Sequence, residues 1–252
     1  MFGFPPDIVA WMTLAIFSGG LAKGISGVAL PIVALSIALN FVEAQVGLAL
    51  VALPIVLTNI WQAFGNGDVL QPLKRFWVMA VVFLIALYIG SQLVAVLPSW
   101  VLFAMIGTTA VIFVLTQVFK PRTEALSPGA ERILGPLTGV VGGIMGGVTS
   151  VWGPPIIMFL FLLRLDKDTW VRSVTSLYLL GAIPLAFFYY QNGVLNGDRM
   201  WLSVAACVPA MAGILIGERL RRFINEELFR KLLLVAIFVA GLNMIRRGLV
   251  VF

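Results

Sequence analysis

The sequence predicts an all-α polytopic membrane protein of two homologous halves. Each half has four apolar blocks, the halves form an inverted repeat, and the first block of each is a broken helical hairpin. Three observations carry this expectation. First, the 252-residue chain is 61% hydrophobic and 11% charged, with a mean hydropathy of +1.05. That is far more apolar surface than a water-soluble domain needs, so its solvent is lipid. Second, landmarks recur at a nearly constant spacing along the chain. Third, one apolar stretch near the start of each half is interrupted by a glycine-rich run that ends in proline.

The first block, residues 7–40, spans about 34 residues, too few for two crossings of about 20 each and long for one. It contains the run Gly19-Gly20-Leu21-Ala22-Lys23-Gly24-Ile25-Ser26-Gly27-Val28-Ala29-Leu30-Pro31. The residues ahead of it lack a basic n-region and no A-x-A-like site follows, so the block is expected to stay in the mature protein. Apolar blocks at 44–64, 76–97 and 100–119 complete a first repeat over residues 1–119. A polar linker, 120–133, joins it to a second repeat over 134–252. That repeat opens on Gly142-Gly143-Ile144-Met145-Gly146-Gly147-Val148-Thr149-Ser150-Val151-Trp152-Gly153-Pro154-Pro155 and continues with blocks at 173–190, 201–216 and 228–245.

Sliding the chain on itself brings Gly20 onto Gly143, Gly24 onto Gly147, Ser26 onto Thr149 and Pro31 onto Pro154 at an offset of 123. Asn66-Gly67 then meets Asn192-Gly193 at 126, and Gly90 meets Gly217 at 127. The drift predicts a small insertion around residues 164–172.

Charge decides how the second repeat sits. If all eight blocks simply crossed, the basic residues outside them would divide eight against eight. If the interrupted block of the second half enters and leaves on one side, as two short helices meeting at residues 146–155, thirteen lie on one side. Only Arg199, Arg246 and Arg247 lie on the other. The loops are short, where such a bias is informative. The loop at 40–46 has no Lys or Arg, so the first hairpin is inferred from the repeat. An odd number of full crossings per half makes the repeat inverted, and paired breaks near the midplane mark the place to look for a binding site.

Several chemistries are excluded. Cys207 is the sole cysteine and histidine is absent, which removes intrachain disulfides, thiolate metal sites and imidazole catalysis. No Asp or Glu lies deep in an apolar block, so the usual proton-relay carboxylate is missing and no metal or other cofactor is expected. The net charge of +6 belongs to loops between apolar blocks, which argues for a lipid bilayer and against nucleic acid. The partners expected are a small anion and the bilayer, with a homodimer left open.

Lys23 is the one charged side chain inside an interrupted segment. Either it snorkels from a helix end, or it is the counter-charge of a bound anion, the reading its glycine neighbours favour. Gly24, Gly27 and Gly153 would expose backbone N–H groups to an oxyanion, and Ser26, Thr149 and Ser150 could add hydroxyls. The alternative for the glycines is close helix packing, preferred for Gly213 and Gly217. Asn59 and Gln62 in the second block, and Thr175 and Ser176 in its counterpart, are candidates that could equally glue helices together. Arg172 could meet an anion at a cavity mouth or a lipid headgroup. Trp152 lies within the second break, as a wall, a gate or packing. Trp11, Trp77, Trp100, Trp170 and Trp201 fit an aromatic belt.

The run 19–27 and the run 147–155, followed by Leu165-Asp166-Lys167-Asp168-Thr169-Trp170-Val171-Arg172, resemble the signature of the TauE/SafE (TSUP) family. The resemblance covers essentially the whole chain, including Gly90 and Gly217, placed at the loops before the last block of each half. It departs at Leu30-Pro31, where the second half has Gly153-Pro154. The resemblance implies a secondary transporter, commonly an exporter, of small sulfur-containing anions such as sulfite, thiosulfate or organosulfonates like sulfoacetate. The setting implied is a multi-pass protein of a bacterial inner membrane. An anion channel built on the same two hairpins is the alternative.

Overall fold

The computed structural model describes residues 3–65, 69–119 and 126–249, and the elements among them are all α-helices. Asn66 and Gly67 of the repeat argument, and Lys120 and Arg122 among the basic residues tallied by side, lie outside the described residues. The first half comprises α1 (Pro6–Ser26), α2 (Leu30–Ala38), α3 (Ala44–Gly65), the short α4 (Leu70–Arg75), α5 (Trp77–Val96) and α6 (Ser99–Val118). The second comprises α7 (Pro128–Thr149), α8 (Gly153–Leu162), α9 (Lys167–Gln191), α10 (Gly197–Leu220) and α11 (Glu226–Leu249). Seven of these helices (α1, α3, α5, α6, α9, α10 and α11) are long and apolar enough to cross a membrane. This is a multi-pass membrane protein.

Each half opens on a hairpin, but not of two short helices. α1 has 21 residues and α2 has 9, while α7 has 22 and α8 has 10. The glycine runs do not break the helices, because a helical glycine costs only about 1 kcal/mol. The chain is interrupted only at 27–29 and at 150–152, three residues each.

Both hairpins close on themselves. Gly19 packs against Leu30 and Ala34, while Trp11 stacks on Phe41 with ring centroids 4.8 Å apart. At the base of the second, Leu126 N donates to Leu162 O over 3.2 Å. Each segment therefore returns to the level at which it set out. The first base lies beside Gln45, whose amide donates to Leu97 O at 3.3 Å, and beside Arg247, which donates to Leu39 O. The second lies beside the Arg75–Glu131 ion pair. α5, 20 residues long, runs from one of these levels to the other, about 30 Å.

Glycines hold the helices together across the halves. α5 lies along α7 and α10 along α1, so each hairpin is clamped by a helix of the opposite half. A Cβ at Gly20 would sit 2.3 Å from Ala210 O, and one at Gly147 2.5 Å from Leu87 O. Gly90 faces Ile144 and Gly147, whereas Gly217 faces Leu21 and Gly24. These two glycines do not open loops, as the sequence suggested; they lie within α5 and α10 as packing surfaces.

One further boundary differs from expectation. α7 starts at Pro128, so 128–133 of the expected linker is helix: Ser127 caps it, its hydroxyl accepting from Ala130 N at 3.3 Å, and proline suits the first helical position. The drift between repeats falls within α9, which is 25 residues long against 22 for α3 and whose first turns, from Lys167, overlap the expected stretch 164–172.

Candidate functional site

The two breaks are built alike. Gly27 takes a left-handed conformation at φ +88°, and its N–H caps α1 by donating to Lys23 O at 2.7 Å. Its repeat counterpart Ser150 does the same at φ +60°, donating to Gly146 O at 2.8 Å. Beside them, Ser26 Oγ donates to Ala22 O (2.7 Å) and accepts from Val28 N (3.4 Å). Thr149 Oγ1 donates to Met145 O (2.7 Å) and accepts from Val151 N (3.3 Å). Each helix end thus stops in the same way, through a left-handed residue and a hydroxyl that rescues one freed amide. These two hydroxyl protons are already spent within the breaks.

Neighbouring helices brace each break. From α3, Gln62 Nε2 donates to Gly27 O at 3.1 Å. From α9, the fully buried Tyr189 donates to Gly147 O at 2.9 Å and lies 3.1 Å from Ser150 Oγ. Because the single phenolic proton goes to the carbonyl, Ser150 is the donor in the second contact.

A cavity lies where the breaks face each other. Its wall includes Lys23, Val28, Pro31 and Ile32 from the first hairpin, Ser150, Val151, Trp152 and Gly153 from the second, and Ile55, Asn59, Phe113 and Tyr178 from α3, α6 and α9. All but Val28 and Pro31 are buried. Its volume is about 20 Å³, room for a water molecule but not for a tetrahedral oxyanion.

Lys23 is 2% exposed. Its Nζ donates to Asn59 Oδ1 at 2.5 Å and to Thr58 Oγ1 at 3.0 Å. Both partners are oriented as acceptors: the Thr58 hydroxyl donates to Pro54 O at 2.7 Å, and the Asn59 amide donates to Tyr178 O at 3.4 Å. Pro54 leaves a gap in the α3 ladder, which Ser203 fills by accepting from Leu53 N (3.1 Å) and donating to Leu50 O (3.5 Å). Among the described residues Lys23 meets no carboxylate, and one of its three N–H bonds is unspent. An ammonium held only by neutral acceptors at this depth lacks the counter-charge that buried ions ordinarily carry.

Tyr178 brings a second unspent donor. Its hydroxyl makes no hydrogen bond among the described residues, and a Cβ on Gly153 would lie 2.2 Å from it. Only glycine at the head of α8 admits the phenol there. Trp152 is 3% exposed, packs its indole edge-to-face on Phe83 and Tyr178, and rests against Gly146. Its Nε1 has no partner among the described residues.

Of the residues singled out from sequence, Lys23, Asn59, Ser150, Trp152 and Gly153 line this cavity. Gln62, Gly27, Ser26 and Thr149 shape the breaks around it; Ser26 itself is exposed. Gly24 packs on α10, where a Cβ would meet Ile214 O at 2.5 Å. Thr175 donates to Val171 O within its own helix, Ser176 is buried with no partner among the described residues, and Arg172 is exposed; none of these three lines the cavity. Sequence reasoning missed Thr58, Tyr178 and Tyr189. Thr58 had a signal, since it lies four residues after Pro54, whose carbonyl an i+4 hydroxyl can reach. The tyrosines had none, being aromatic residues in an apolar helix.

A helical membrane protein with two interrupted hairpins meeting at one buried cationic cavity has the parts of a solute transporter. The family model "Sulfite exporter TauE/SafE" matches residues 12–244. The chain belongs to the TauE/SafE family, and is therefore a membrane transporter and not an enzyme. No curated protein and no solved structure matches it.

Proposed function

We propose that this protein is a secondary transporter that exports small sulfur oxyanions (sulfite, thiosulfate or an organosulfonate such as sulfoacetate) across a bacterial inner membrane by alternating access. The observation that carries the reading is Lys23, a buried amine that meets no carboxylate among the described residues, in a cavity lined by both breaks. The substrate's own negative charge supplies the missing partner. One oxygen would take the free Lys23 N–H and another the Tyr178 hydroxyl, with backbone amides at the heads of α2 and α8 reaching a third.

The small cavity makes this an occluded arrangement, so the hairpins must part to admit substrate. The two clamped pairs, α1 with α10 and α7 with α5, are natural rigid units for that motion. The antiparallel hairpins, opening at opposite levels, support an inverted repeat. The level carrying Arg75, Arg132, Arg164 and Arg219 is the cytoplasmic one by its excess of basic residues. A channel would need a continuous path, which a cavity walled almost wholly by buried residues does not offer.

Counterflow in proteoliposomes tests the proposal. Labelled sulfite should enter faster into vesicles preloaded with unlabelled sulfite than into empty ones, and Lys23→Gln should abolish the difference. Flux that neither saturates nor responds to preloading would establish the channel instead.

A further inference from the structure

A second cavity lies between the ends of α5 and α7, far from the breaks. The helices are pressed together at Gly139, where a Cβ would sit 2.7 Å from Met79 O, and the crevice lies toward the ends carrying Trp77 and Pro128. The crevice between them has a volume of about 450 Å³. Its floor is apolar: Gly135 leaves room above Phe159, whose ring is 3.5 Å from where a Cβ would be, and Phe159 stacks edge-on with Phe76. Its rim is charged. Arg75 is held by Glu131, with contacts of 3.2 and 3.3 Å, and by the ring of Phe76 at 5.1 Å. Arg132, next to that pair, is exposed and has no partner among the described residues. Trp77, 62% exposed, stands beside them at the depth where indoles meet headgroups.

We propose that this crevice binds one anionic phospholipid of the basic-side leaflet. Its phosphate sits on Arg132, with the Glu131-braced Arg75 beside it, and an acyl chain lies over Gly135 and Phe159. Charge complementarity selects the occupant. Glu131 neutralises Arg75 and leaves a net cation at the rim, while the floor offers only carbon, a combination that suits an amphiphile better than a free anion. A bound lipid would brace α7 against α5 beneath the second hairpin. The inference is independent of the reading of Lys23.

The test is thermal unfolding of the detergent-purified protein titrated with dioctanoyl phosphatidylglycerol, dioctanoyl phosphatidylcholine or inorganic phosphate. Phosphatidylglycerol should raise the midpoint and phosphatidylcholine should not. Arg132→Gln should weaken the phosphatidylglycerol response about fivefold in lipid concentration. Gly135→Leu, which fills the floor without touching the rim, should weaken it too. Equal responses to the two lipids, or an unchanged response in both variants, would overturn the proposal. So would a phosphate response that Arg132→Gln removes, since it would mark a site for soluble anions.

Discussion

The two breaks share a backbone but not a chemistry. Gly27 and Ser150 have the same left-handed cap, Ser26 and Thr149 the same hydroxyl bridge, and Val28 and Val151 the same rescued amide. The side chains around these frames diverge. Where the first half has Lys23 the second has Gly146, and where the second has Trp152 the first has Ala29. The exchange is complementary: Trp152 lies on the surface that Gly146 leaves bare, and Lys23 reaches instead across to α3. The two interruptions are alike in backbone, and their side chains make one the cationic wall and the other the aromatic wall of a single cavity. On the proposed reading, the asymmetry suits a single substrate held between the two halves.

The strongest way to break this comparison is to attack the clamps that hold both hairpins. Gly20→Val and Gly147→Val each push carbon into a backbone carbonyl at 2.3 to 2.5 Å, and should destabilise by about 3 kcal/mol or prevent folding. Matching losses of folded yield in a detergent size-exclusion assay would show the clamps to be equivalent; tolerance at one site alone would show that they are not.

A smaller effect distinguishes the braces. Tyr189→Phe removes the donor to Gly147 O and the acceptor of Ser150, two buried contacts, and should cost about 2 kcal/mol. Gln62→Leu removes the donor to Gly27 O from a side chain that is only half-buried, and should cost less, about 1 kcal/mol. Chemical denaturation of the two variants measures both, and the reverse order would mean that the first break is the more tightly held.

The smallest effect concerns the left-handed caps. Ser150→Ala loses the bond to Tyr189 and keeps the unfavourable φ, so it should be destabilising by about 1 kcal/mol. Ser150→Gly loses the same bond but relieves a strain of about 1 kcal/mol, and should be nearly neutral. If the two variants unfold alike, the cap is not strained.

Composition, periodicity and the repeat were enough to read the membrane class, the two hairpins and the cavity's main cation. What could not be read was the use of the glycines. Gly20, Gly24, Gly143 and Gly147 have the spacing of a ligand-binding loop and equally that of a helix seam. Only the partner helix decides, and the partners of α1 and α7 come from the opposite half, beyond any local pattern. Lys23 was legible because a lone charge in an apolar run is costly wherever it points. Arg172 gave no such signal: near a helix start an arginine can stay exposed at little cost, and here it is exposed and does not line the cavity. Tyr178 reached the site through Gly153, a contact between residues 25 apart whose only trace in sequence is a glycine at the place where the first repeat has Leu30.

The central claim is that a small sulfur oxyanion binds between the breaks as the counter-charge of Lys23. Thermal-shift titration of the purified protein with sulfite, thiosulfate, sulfoacetate, taurine and sulfate, on the wild type and on Lys23→Ala, tests it most directly. At least one of the sulfur anions should stabilise the wild type in a saturable way and leave the variant unmoved. Equal stabilisation of both proteins by every anion would contradict the claim.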